Sequence, residues 1–506
     1  MLFARHAQQL GHWPGYRRRR RPEYGAPEGK SIATKNHIPL TIAIAGGSGF
    51  AGKALAVELL SRGHKVRILA RSVANGTPQP NLETRQCDVF SLKQVDEALV
   101  GCDRAVYLIH SMLPNNRMTQ ANFEDLDVLV ADNFARACRK NKIERIVYIG
   151  GIIPQGELSQ HLRSRLEVER TLAAYGTPLV ALRAGLVIGA GGSSYRILAR
   201  LVRRLPVMVC PAWTRSRSNP VSLADATAAL VSACERDWPG LVTLHTKAAN
   251  GPANEKYLVF NIGTRRIVSY VELMQTAARV YRRVLAVLTV PLNSYALSKL
   301  WVRFFSGASK TLVEPLVESL KHDMLAEPNG LPELLGREPE TLEVMLQNAE
   351  ELKPVTLAMP RAAASKDRSV RSVQRLDVPP GRDAHWIARR YGLWLGRFFR
   401  GVIVVTRSQR NLVFTANGVE LLRLDFSAER SESTRALYYI TGGALARKET
   451  SRAGRLEFRL LPSGLQALAA IHDFEPALPW LVYANSQAPF HAWVMHRFRS
   501  YLAGLV

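Results

Sequence analysis

LTIAIAGGSGFAGKALAVELLSRGHKVRILARS, residues 40–72, decides how this 506-residue chain folds. An apolar run of strand length ends in glycines, a helical pattern follows as far as Gly63, and a second apolar run closes the unit. Three glycines carry the turn. Gly46 lets the chain turn sharply, Gly49 keeps the backbone bare where a pyrophosphate has to approach, and Gly52 lets the helix pack close to the strand. Free N–H groups and the helix dipole then favour an anion at the helix amino end. Gly46, Gly47, Ser48, Gly49, Phe50 and Gly52 are therefore the candidate cofactor-binding loop. A glycine pattern alone also fits a tight turn without a ligand; the complete strand–turn–helix–strand setting is what favours the cofactor.

The end of the second strand selects the nucleotide. A carboxylate about 20 residues after the loop binds a ribose 2′-hydroxyl, whereas an arginine there receives a 2′-phosphate. This chain has Arg71-Ser72 and no acid beside them. The planar guanidinium fork suits a phosphate. NADP(H) is the expected cofactor, ahead of NAD(H).

Working outward, RAVYLIH, ERIVYIG and PLVALRAG repeat the buried-strand pattern, with helical patterns at 92–99, about 119–140 and about 159–174. Buried strands alternating with helices predict an α/β fold, a doubly wound Rossmann sheet with right-handed crossovers. The less regular stretch 186–350, with a strand-like YLVFNIG and helices near 269–282 and 310–325, is read as a small substrate lobe. The dinucleotide-binding domain then spans 38–350, and 351–368 is a linker. Residues 369–506 have another grammar: a helix at about 383–399, the strand candidates GVIVVT, NLVFTA, ELLRLDF, ALYYITG and RLEFRLL, and a helix at about 487–504. That order predicts a carboxy-terminal α+β domain in which a curved antiparallel sheet grips a long helix. Such a helix-grip arrangement suits an apolar ligand cavity, with His472, Asp473, His491 and His496 as polar candidates. Most aromatics there, Tyr391, Trp394 and Phe398 among them, are expected in the core.

Composition narrows the classes. With 47% hydrophobic and 22% charged residues the chain has the balance of a soluble globular protein. The net charge of +26 is concentrated in part in residues 1–37, which read as a disordered basic tail containing the run Arg17–Arg21. No basic stripe with base-stacking aromatics accompanies it, so no nucleic-acid partner is expected. Peripheral contact with an anionic membrane surface stays open. No apolar run approaches the roughly 18 residues needed to span a bilayer. Cys87, Cys102, Cys138, Cys210 and Cys234 show no metal-ligand spacing, so reduced core thiols, a cytoplasmic setting and no metal site are expected.

GGSGFAG, Arg71-Ser72 and Asp88-Val89, together with HLRSRLEVE, LRAGLVIGAGGSS, RLPVMVCPAWTRS and VSLADATAALV, make residues 40–350 similar to the atypical, extended short-chain dehydrogenase/reductases. The likeness is greatest to their NmrA-like, NAD(P)H-binding bacterial branch. RSVQRLDVPPGRDAHWIARRYG, LYYITGGALAR and AAIHDFEPALPW resemble a carboxy-terminal domain family of unknown function that accompanies this branch. The resemblance implies that Asp88 and Val89 lie at the adenine, and that Leu108, Ile109 and His110 line the nicotinamide-side ribose. For Asp88, a turn or capping role stands beside that one. It also implies a Tyr-x-x-x-Lys pair, in which the lysine lowers the tyrosine pKa and the tyrosine handles the proton at the substrate oxygen. Here the matching place reads His161-Leu-Arg-Ser-Arg165, and the serine that usually ends the fifth strand is replaced by Gly150-Gly151. His161 is an acid–base candidate. Arg165 can anchor ribose or phosphate but cannot shuttle a proton. Tyr107 and Tyr148 fall inside strand patterns and read as core.

Two functions fit. One is an NADP(H)-dependent oxidoreductase acting on an unknown small molecule of hydrophobic character. The other is a redox-inactive NADP(H)-binding sensor or an assembly or regulatory protein, for which the altered His161/Arg165 pair speaks.

Overall fold

Isoleucine and alanine alternate along β1 (Thr41–Ala45), and the two sets go to opposite sides. Ile42 and Ile44 enter one core, whereas Ala43 and Ala45 enter another. A strand buried on both faces is the mark of a parallel sheet covered by helices on each side. The computed structural model describes residues 38–71, 79–110, 118–249, 256–290, 322–357, 369–408, 411–447 and 454–506.

After β1 come α1 (Phe50–Ser61), β2 (Lys65–Ala70), β3 (Leu82–Gln86), α2 (Leu92–Leu99), β4 (Arg104–Tyr107), β5 (Met118–Gln120), α3 (Phe123–Lys140), β6 (Arg145–Gly151), α4 (Gln160–Ala173) and β7 (Leu179–Ala184). Beyond them lie β8 (Val187–Ile188), α5 (Ser193–Arg204), β9 (Val207–Pro211), β10 (Arg217–Ser218), β11 (Val221–Ser222), α6 (Leu223–Glu235), α7 (Trp238–Ala249) and β12 (Tyr257–Ile262). The seven-stranded sheet has the order β12-β7-β6-β4-β1-β2-β3, with parallel pairing throughout. The order reverses between β1 and β4. In sheets of this kind the ligand crevice opens at that switch point, beyond the carboxyl ends of the strands.

The small lobe continues with β13 (Val268–Ser269), α8 (Tyr270–Val280), β14 (Ala286–Val290), α9 (Leu331–Leu335) and α10 (Leu342–Glu351). Tyr195, Leu198, Met208, Leu273, Met274 and Leu346 give it a core of its own. Most of the helix expected at 310–325, and residues 358–368 of the expected linker, lie outside the described residues.

The second sheet comprises β15 (Val370–Asp377), β16 (Ile403–Arg407), β17 (Asn411–Ala416), β18 (Val419–Phe426), β19 (Arg435–Gly442), β20 (Gly454–Leu460) and β21 (Gln466–Phe474). Its helices are α11 (Ala384–Phe398), α12 (Trp480–Asn485) and α13 (Gln487–Ala503). The order β16-β17-β18-β19-β20-β21-β15-β5 is antiparallel except at its end, where β5 of the first half pairs parallel with β15. One sheet face holds α11 and α13. The interior of this grip is filled by rings: Tyr391 lies 5.5 Å from Phe458 and 5.1 Å from Phe498, and Trp394 lies 5.2 Å from Phe498. Side chains therefore occupy the place where an apolar ligand was anticipated.

The other face lies on α3. That helix sends Val130, Phe134 and Ala137 toward the parallel sheet and Leu126 and Leu129 toward Val373, Leu468 and Ala470 of the second one. Leu40–Val506 form one compact unit. All five cysteines are free and buried, and burial pushes Cys87 and Cys234 up to about 12. Among the described residues no helix is long and apolar enough to cross a membrane.

Candidate active site

The glycine turn is shaped by contact distances. Gly46 has φ +91°, and a Cβ on it would lie 2.9 Å from the carbonyl carbon and oxygen of Leu108. The ends of β1 and β4 therefore touch through bare backbone. A Cβ on Gly52 would lie 2.3 Å from the Gly46 oxygen and 2.6 Å from Gly47 Cα, which holds the first turn of α1 against the loop. The Gly49 amide donates to the Gly46 carbonyl at 2.9 Å, and no side chain caps α1. Its first amides are left without intrahelical partners, with Ser48 and Gly49 exposed beside them. A cradle that a single Cβ would fill, at an uncapped helix amino end, fits a pyrophosphate. Phe50 packs its ring within 3.1 Å of the Cβ positions of Gly189 and Gly192 and so walls one side of the loop.

Arg71 is exposed directly after β2, at the carboxyl end of the strand beside β1. Ser72 lies outside the described residues. Asp88 follows β3, and its carboxylate is engaged twice. It accepts the Phe90 amide at 3.2 Å and pairs with the Arg371 guanidinium at 3.2 Å. That guanidinium lies 3.7 Å above the Phe90 ring. Val89 is buried. The position expected at the adenine is thus tied to the second sheet, a contact across 283 residues that no local pattern encodes.

Leu108, Ile109 and His110 leave β4 into the crevice, and the Leu108 amide continues the pairing to Ala45 at 2.9 Å. His110 Nδ1 donates to Asp127 Oδ2 at 3.3 Å, and the Ser164 hydroxyl donates to the same oxygen at 3.5 Å. The His161 ring, on the first turn of α4, lies 4.9 Å from the His110 ring. His110 Nε2 and His161 Nδ1 are both buried without a hydrogen-bond partner among the described residues. Burial, aided by His110 and Arg165 and opposed by Asp127, pushes His161 down to about 3. Burial also lowers His110, against the pull of its Asp127 bond. Both rings are therefore neutral near pH 7. Asp127 itself was missed. Its signal was an acid on the apolar side of a long helix, where an unpaired charge is costly.

Arg165 is anchored to β6: its guanidinium donates to the Ile149 carbonyl and lies 5.2 Å over the Tyr148 ring. Tyr148 is buried and donates its hydroxyl to the Arg165 carbonyl at 3.2 Å. A Cβ at Gly150 would lie 2.9 Å from that ring, so the tyrosine occupies the space that a side chain on Gly150 would need. Tyr107 is fully buried, as expected.

A family model described as NAD(P)H-binding matches residues 46–183. The auxiliary protein GraX of Staphylococcus aureus (strain NCTC 8325 / PS 47) is 32% identical over 139 residues, 27% of this chain. The chain spans 42% of the length of that relative. Among solved structures, a nucleoside-diphosphate-sugar epimerase from Staphylococcus aureus is 16% identical with TM-score 0.47, over 61% of this chain and 100% of that one. The triphenylmethane reductase of Citrobacter sp. is 16% identical with TM-score 0.46, over 62% and 100%. The NADPH-dependent quinone oxidoreductase QOR2 of Escherichia coli is 16% identical with TM-score 0.44, over 60% and 98%. Residues 46–183 of this chain are thus similar to an NAD(P)H-binding domain family.

Proposed function

We propose that the protein is an NADP(H)-dependent oxidoreductase acting on a small molecule that enters the crevice beside His110 and His161. The observation that carries this is the pair of buried, unpartnered imidazole nitrogens next to the glycine cradle. Buried polar atoms are normally satisfied, and exceptions concentrate where a ligand completes the bonding. Hydride transfer would be the chemistry the nicotinamide supplies when bound. The chain's own residues handle the proton. His161, held neutral, bonds the substrate oxygen. His110, tied to Asp127, is the ring whose positive charge is best tolerated, because a carboxylate faces it. Arg165 holds the end of β6 in place and lends positive potential to the crevice. Arg71 receives the 2′-phosphate.

A second reading is a redox-inactive NADP(H)-binding regulatory or assembly protein. It is favoured by Arg165, whose guanidinium is already committed to Ile149 and Tyr148, and by the 32%-identical relative that is named an auxiliary protein.

Calorimetric titration of wild type and Arg71→Ala with NADPH and NADH tests the cofactor. Wild type binds NADPH the more tightly, and the variant narrows that preference by roughly tenfold, about 1.4 kcal/mol. Binding of neither nucleotide overturns both readings. Nucleotide binding with no turnover in a carbonyl and quinone screen leaves the second.

A further inference from the structure

The grip face of the second sheet ends in a surface unlike the rest of the molecule. The Phe399 ring lies 5.7 Å from Phe490 and 6.4 Å from Trp493, and those two lie 5.8 Å apart. Phe398 closes the group 5.3 Å from Trp493. Among the described residues nothing covers the cluster: Phe490 is 47% and Trp493 42% exposed. Val402, whose amide donates to the Phe399 carbonyl at 2.9 Å, is 63% exposed, and Val404 on β16 is exposed as well.

The charged side chains on the elements that bear this cluster are basic. Residues 384–408 and 477–506, which supply α11, β16, α12 and α13, contain no Asp or Glu, and they contain seven arginines. Arg397, Arg400, Arg407 and Arg497 are exposed. Arg497 lies 5.9 Å over the Trp493 ring, and Arg499 reaches Asp377 at 3.8 Å from a neighbouring strand.

We propose that this face docks the protein on an anionic membrane surface. Half-buried Trp and Phe rings are the side chains that settle at the headgroup level, where one edge is apolar and the other wet. Arginines around them bury their stems and keep their charge in water. Basic residues beside an anionic leaflet are drawn to its surface charge. Apolar insertion and charge together satisfy the two-signal requirement for stable peripheral binding. A second copy of the chain is a poorer occupant, because an isologous contact would oppose two acid-free, arginine-rich faces.

Flotation of the full chain with vesicles of phosphatidylglycerol and phosphatidylcholine, against phosphatidylcholine alone, tests this. Wild type binds the anionic vesicles, releases in high salt, and shifts its tryptophan emission to the blue. Phe490→Ser with Trp493→Ser leaves net charge and folding unchanged but lowers vesicle affinity by roughly tenfold or more. Equal binding by wild type and the double variant overturns the proposal, because attraction then comes from overall charge alone. No binding to anionic vesicles overturns it too. So does a wild-type dimer that the double variant abolishes, since the face would then be a protein interface.

Discussion

Helix α3 carries two kinds of buried charge, and they are treated in opposite ways. On the side of the second sheet, the buried carboxylates Asp125 and Asp132 are matched by arginine. Asp132 meets Arg459 at 2.8 Å and Arg136 at 2.8 Å, and Asp125 meets Arg375 at 2.7 Å. Glu457 on β20 receives Arg435 at 2.7 Å, Arg459 at 3.0 Å and His472 at 3.2 Å. Burial works to raise the Glu457 carboxyl, yet the Arg435 and Arg459 guanidiniums, with the His472 hydrogen bond, hold it well below the usual carboxylate range. In the crevice, Asp127 has a neutral histidine and a hydroxyl, and two imidazole nitrogens have no partner among the described residues. The lesson is that a satisfied network fixes two layers together, whereas an incomplete one marks where a ligand belongs.

Breaking the seam has the largest expected effect. Arg459→Ala leaves Asp132 and Glu457 buried with less countercharge, and such a loss costs roughly 3–5 kcal/mol. Denaturant unfolding should show that drop. NADPH affinity of the protein still folded should be near wild type. A loss below 1 kcal/mol would mean that the seam is not what joins the layers.

The crevice behaves the other way. His161→Ala removes no paired charge, so its stability is expected at or above wild type, while turnover falls by about 10²–10⁴-fold. Retained turnover would remove His161 from the chemistry and favour the second reading. Gly52→Val lies between the two: its Cβ would meet the Gly46 oxygen, and NADPH binding should be lost while circular dichroism keeps the native shape.

The last effect vanishes at neutral pH and is confined to acid. His161 sits at about 3 in the folded protein against its ordinary 6.5. Between those values the unfolded chain binds the extra proton, so stability rises with pH across that window and falls as pH drops through it. His491, lowered by burial to about 4, adds in the same direction. His161→Gln should flatten the slope of unfolding free energy between about pH 3 and 6.5. An unchanged slope would mean that His161 is better solvated than its burial implies.

The strand–turn–helix unit at 40–72, the alternation with helices up to 184, and α11 and α13 were legible because apolar period and glycine placement are local. Several strands of the second sheet were not, β5, β15 and β21 among them. β15 reads VRSVQRLD, without an apolar run. Arg371 and Arg375 on β15 are polar by sequence, yet they are held at the layer junction by Asp88, Asp125 and Glu167. The same reason hid the covered face of β20, whose Arg455, Glu457 and Arg459 look solvent-facing and are all buried.

The sequence by itself determined the parallel sheet, the cradle and the place of His161, because each depends on residues within one turn or one strand period. Tertiary structure alone decided that His110 lies against His161, that Asp127 backs His110, and that α3 is covered on both sides. Those contacts join segments 17 to 327 residues apart. Their partners are chosen by charge and shape after the chain has folded back, and no periodicity records them.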